Sequence, residues 1–282
     1  MAALDAVDFR RVANLAYLTA LGRGFAGAIL FSLPLLMTME MWFLGFYLDR
    51  PNLVQFVLVN FIVLVGLARL SGFEPSSGWV DDVMDAFAAY AVAAIWSFFI
   101  LWLLGIVTLD QPAGDIIGKV ALESIPASFG AMLASKNLGT PEPISQEAKR
   151  ARATYLGQLF LMLAGAIFVG FSVAPTEEMV LISFLMSPVR SIMLILFSII
   201  LLHGVVYAVG FRGQEKPSGP TGFWSIFLRF TIPGYAIAAA TAFYLLWTFG
   251  RIEGTTAPQI AAMVAVLAFP GAVGAALARL VV

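Results

Sequence analysis

The chain contains no cysteine and a single histidine, His203, in 282 residues. Without thiols it can form neither disulfides nor thiolate metal sites. One histidine without other soft ligands argues against a metal centre. No phosphate-binding loop, HExxH-type motif or nucleophile–base constellation is present. The expectation is therefore a protein that is not an enzyme and needs no cofactor. Charge is equally scarce: 12% of residues are Asp, Glu, Lys or Arg, against about 25% in a soluble domain. The net charge of −1 gives no reason to expect nucleic acid as a partner. The longest polar connection, residues 136–152, is too short for a soluble domain.

What fills the chain instead is apolar. Hydrophobic residues make up 61% and the mean hydropathy is +0.93; soluble domains carry about 45–50% apolar residues. A membrane-spanning helix needs roughly 20 mainly apolar residues. Candidates fall at 23–48, 52–71, 82–107, 113–135, 153–176 (with an extension towards 186), 189–210, 223–249 and 257–280. Residues 1–22, with Asp5, Asp8, Arg10 and Arg11 among apolar neighbours, lack a signal-peptide pattern and suit an amphipathic helix at the membrane interface.

The chain writes one pattern twice. At an offset of 138, Gly27, Ala28, Ile29, Thr38, Glu40 and Met41 fall on Gly165, Ala166, Ile167, Thr176, Glu178 and Met179. At 145, Trp79, Tyr90, Phe98, Trp102 and Gly105 fall on Trp224, Tyr235, Phe243, Trp247 and Gly250. At 144, Ile125–Ala134 aligns with Phe269–Ala278, including Pro126 on Pro270 and Gly130 on Gly274. The last match also makes residues 113–135 a span, despite their Asp115, Lys119 and Glu123. The predicted fold is all-α: eight transmembrane helices in two tandem four-helix repeats, 23–138 and 153–282, joined by a linker at 139–152. An even number of spans per copy predicts a pseudo-two-fold axis along the membrane normal.

Orientation follows from the basic residues. One side collects Arg10, Arg11, Arg23, Arg69, Lys136, Lys149, Arg150, Arg152, Arg212, Lys216 and Arg279; the other holds mainly Arg50, Arg190 and Arg251. Both termini are predicted to be cytoplasmic.

The run Gly22–Trp42 (GRGFAGAILFSLPLLMTMEMW), with its second form Ala174-Pro-Thr-Glu-Glu-Met179, resembles an uncharacterised family of bacterial integral membrane proteins, a domain of unknown function. The resemblance implies a multi-pass protein of the bacterial cytoplasmic membrane. It supplies no site residues, substrate or partner.

The duplicated Thr-x-Glu carries the sharpest chemical expectation. Glu40 lies about 25 Å into its helix at 1.5 Å per residue, in the outer part of the membrane, with Pro34 upstream; Glu178 follows Pro175. Prolines free backbone carbonyls, and carbonyls beside carboxylates and hydroxyls hold hard cations at broken helices. Thr38, Glu40, Thr176 and Glu178 are thus expected to face each other across the axis and bind a cation or protons. The alternative is that both glutamates cap helix ends.

Further polar groups could line a path: Asp115, Lys119 and Glu123, four residues apart on one helix face, where the lysine can pair with either acid, although a self-neutralised stripe packed against other helices is the favoured reading of these three; His203, for proton transfer or an interhelical hydrogen bond; and Glu177 with Arg190, the arginine placed to neutralise Glu177 or Glu178. Asp81, Asp82 and Asp85 suit the dipole at a helix start. The leading expectation is cation or proton translocation, as channel or secondary transporter. The runner-up is a non-transporting membrane scaffold or sensor. Partners are the bilayer and a small cation or proton, and a homo-oligomer is compatible with the pattern.

Overall fold

The computed structural model describes residues 19, 21–71, 78–137, 154–174, 176–209 and 223–281. The interfacial helix expected over 1–22 lies almost wholly outside these residues, and the linker at 139–152 wholly outside.

Every regular element among the described residues is helical. In chain order they are α1 Leu21–Leu36, α2 Met39–Tyr47, α3 Arg50–Ser71, α4 Trp79–Leu103, α5 Ala113–Asn137, α6 Tyr155–Val173, α7 Glu177–Leu185 and α8 Pro188–Val209. Two more follow, α9 Phe223–Thr248 and α10 Ala257–Val281. Seven are long and apolar enough to cross a bilayer, and α1 with α2 would make an eighth as a pair bent by 87°.

That bend corrects the continuous helix expected over 23–48. Pro34 donates no N–H, and the helix ends within a turn of it. Thr38 then closes the end: its amide and its hydroxyl both donate to the Leu35 carbonyl, at 2.9 and 2.7 Å. The extension of the fifth helix to 186 is corrected in the same way. It stops at Val173, and the Thr176 amide and hydroxyl donate to the Val173 carbonyl at 3.1 and 2.9 Å. The nine-residue α2 and α7 are separate helices.

The chain forms two compact units, residues 1–47 with 57–145 and residues 48–56 with 146–282. In the first, α5 packs against α2 and α4. It also crosses α1 where a Cβ on Gly27 would overlap the Gly130 carbonyl oxygen and the Ala134 methyl. Backbone meets backbone there, the close approach that small residues permit between membrane helices. Leu36, Ile100, Leu101 and Val107 form a core, with Trp42, Trp96, Ile116 and Val120 packed against it.

In the second unit, α10 packs against α6, α7, α8 and α9. A Cβ on Gly165 would overlap the Gly274 carbonyl oxygen. Met162, Ala166, Leu202, Ala238 and Ala272 join its core, and Phe56, Phe171 and Phe249 meet with ring centroids 5.2 to 5.9 Å apart. α9 opens with one α turn, Phe223–Ile226, followed by a π turn, Phe227–Thr231. Pro233 has no N–H for the Arg229 carbonyl four residues back, and the Tyr155 hydroxyl supplies that bond at 2.9 Å.

Each unit ends one helix in the same way. Gly105 and Gly250 adopt φ of +72° and +67°. Around them Gly105 N bonds Trp102 O and Ile106 N bonds Leu101 O; Gly250 N bonds Trp247 O and Arg251 N bonds Leu246 O. These are Schellman caps, whose left-handed residue favours glycine.

Candidate functional site

Thr38 and Glu40 lie in the first unit, Thr176 and Glu178 in the second. Each threonine is committed to the carbonyl three residues back. Each glutamate stands in the first turn of a short helix, Glu40 in α2 and Glu178, beside Glu177, in α7. Free N–H groups and the helix dipole stabilise a carboxylate there. Glu40 is half-buried, whereas Glu177 and Glu178 are exposed. Arg190 forms no ion pair with either of them: Met186 is extended, Pro188 starts the separate helix α8, and the arginine is exposed.

The charged stripe of α5 is resolved differently from its spacing. Lys119 turns its ammonium to the loop before α5, donating to the Ile106 carbonyl at 3.1 Å and to Gln111 Oε1 at 3.3 Å. It is therefore not spent on Glu123. Glu123 is fully buried, and neither carboxyl oxygen has a hydrogen-bond partner. It is the eleventh residue of a 25-residue helix, about 15 Å along the axis at 1.5 Å per residue. That is near the middle of the candidate span Ala113–Ala134, and half the thickness of a hydrocarbon layer of about 30 Å. A carboxylate at such a depth costs roughly 2.5–3.5 kcal/mol on insertion scales.

Polar side-chain contacts join helices in the first unit. Asn60 of α3 donates to Ser128 Oγ of α5 at 3.2 Å, and Ser128 donates to the Ile125 carbonyl at 2.7 Å. Trp96 of α4 donates to Ser32 of α1 at 2.9 Å. An asparagine inside an apolar span was the available signal for the first. Arg69, at the end of α3, pairs with the buried Asp82 at 3.1 Å and lies over the Trp79 ring. An arginine closing one helix and an aspartate opening the next, across a short connection, was the signal for that pair.

In the second unit, His203 Nδ1 is 2.8 Å from Thr231 Oγ1, at the end of the π turn. The imidazole makes T-shaped contacts with Phe223 and Phe227, ring centroids 4.3 and 5.3 Å apart. This is the interhelical hydrogen bond anticipated for a histidine in a span. Among the described residues no three His, Cys, Asp or Glu side chains gather where they could hold a metal ion.

Seven long apolar helices, and a bent pair able to supply an eighth, define a multi-pass α-helical integral membrane protein. Its buried carboxyl and short capped helices stand on that frame. The chain belongs to the family described as "Putative integral membrane protein (DUF2391)", which it matches over residues 20–282. No curated protein and no solved structure matches it.

Proposed function

We propose that the chain moves protons or small cations across a bacterial cytoplasmic membrane, with Glu40 and Glu178 in the path. The observation that carries this reading is the break at Thr38. A span bent by 87° places a half-buried carboxylate two residues beyond the bend, and secondary transporters build ion sites at interrupted helices. The stop at Thr176, with Glu178 two residues on, uses the same hydrogen bonds. Matching caps at Gly105 and Gly250 and matching crossings at Gly27 and Gly165 further support two tandem repeats.

The test is flux in proteoliposomes, read with a pH-sensitive dye and then a panel of cations. Wild type should carry flux under an imposed gradient, and the double variant Glu40→Gln/Glu178→Gln should lose it while remaining folded. Unchanged flux in that variant would remove both carboxylates from the path.

One observation favours a second reading, a scaffold or sensor that transports nothing. First-turn positions stabilise Glu40 and Glu178 through the helix dipole without any bound ion. Folded wild type that carries no flux, under either gradient direction and with a membrane potential, would establish this alternative.

A further inference from the structure

We infer that Glu123 is a proton-binding carboxyl of the first unit, set against the break between α1 and α2. Two contacts bracket it. Towards the end of α5, Gly130 and Ala134 lie against Gly27 and Phe31 of α1; nearer its start, Gly118 and Lys119 lie against Gly45 of α2. Glu123 is seven residues before Gly130 and four after Lys119, so it shares their face of the helix. It falls between the two contacts, level with the stretch from Pro34 to Thr38. The packing of Ile116 and Val120 against the cluster that contains Leu36 agrees with that level.

The break is rich in acceptors and poor in donors. Pro34 leaves the Leu30 carbonyl without its helical N–H. Of the last carbonyls of α1, Leu33 takes the Met37 amide at 3.2 Å and Leu35 takes both donors of Thr38; those of Pro34 and Leu36 have no continuing helix to bond them. A carboxylate only accepts, whereas a protonated carboxyl can donate. A proton therefore converts Glu123 from one more acceptor into the donor that its surroundings lack. A metal cation would need further ligands, and the described residues gather no cluster of acids around it.

The other ionisable groups of the packed helices are Arg23 in α1, Glu40 and Tyr47 in α2, Arg50 and Arg69 in α3, and Asp81, Asp82, Asp85 and Tyr90 in α4. None of them hydrogen-bonds to Glu123. Asp82 and Arg69 are paired with each other, and Lys119 is held at Ile106 and Gln111.

Dicyclohexylcarbodiimide tests the assignment, because it adds to protonated carboxyls in apolar settings and leaves a stable N-acylurea. Full-length protein in proteoliposomes is treated across a pH series, with and without excess Na⁺ or K⁺, and the modified residue is mapped by mass spectrometry. The expected result is label on Glu123 that declines as pH rises, is insensitive to either cation, and disappears in Glu123→Gln. Mapping on wild type identifies the residue even where that variant does not fold. Absence of label on Glu123 at every pH would overturn the proposal. So would protection by Na⁺ or K⁺ at constant pH, which would make it a cation site. Labelling and flux fail separately: label without flux removes the transport reading alone, and flux without label removes this assignment alone.

Discussion

In the first unit Gly27 lies on Gly130, and two and three turns back along α5 stand Glu123 and Lys119. In the second unit Gly165 lies on Gly274, and the positions aligned with Glu123 and Lys119 are Leu267 and Met263, both fully buried. The two crossings use the same backbone contact, the same proline four residues before the second glycine (Pro126 and Pro270), and the same threonine-closed helix end. They differ at the aligned positions, charged in α5 and apolar in α10. The apolar filling shows that this architecture does not need a carboxyl to be built. Glu123 is a departure from a packing solution that the same chain completes without charge, which is why its chemistry calls for its own explanation.

Six substitutions would break or sharpen that contrast, each read by thermal or denaturant unfolding of the purified protein. The largest effect belongs to what the crossings share. Gly130→Val and Gly274→Val each force a side chain into a facing backbone, and each should cost about 3 kcal/mol or more, the upper end of overpacking penalties. A mild effect at one crossing only would show that the two are not equivalent. Next comes Leu267→Glu, which copies the first unit into the second. It should cost about 2.5–3.5 kcal/mol, the price of an acid at mid-membrane.

The reverse change, Glu123→Leu, copies the second unit into the first. It should be neutral or raise stability by about 1–3 kcal/mol, the range for removing an unsatisfied buried polar group. A clear loss of stability would mean that Glu123 holds the fold together. The smallest effect is expected for Thr38→Val and Thr176→Val. Each removes one hydroxyl bond to a carbonyl, worth about 0.5–1.5 kcal/mol, and the two losses should be similar.

The helices and their approximate bounds were legible in the sequence because apolar runs of bilayer length have few other uses. The breaks were not. Met37 to Trp42 is as apolar as its surroundings, apart from Thr38 and Glu40. The proline that signals the first break stands upstream of the residues that close it. The Thr-x-Glu repetition was visible, but its hydroxyls turn to local carbonyls, a choice that depends on where the backbone stops being helical. The α5 stripe was visible too, and the pairing inferred from its four-residue spacing was not what forms. Spacing along one helix cannot report that residues 104–112 present the Ile106 carbonyl and Gln111 to Lys119. Asn60 and Ser128 are 68 residues apart, and their bond exists only once α3 and α5 are packed.

The glycine crossing also acts as a vernier. Where two backbones touch, sliding one helix along the other by a single turn would shift its residues by about 5.4 Å and bring side chains into a gap sized for hydrogen. The contact of Gly27 with Gly130 thereby indexes α5 against α1, and the depth of Glu123 relative to Pro34 is read off that index. In the second unit the same scale is engraved at Gly165 and Gly274, with Leu267 at the corresponding mark.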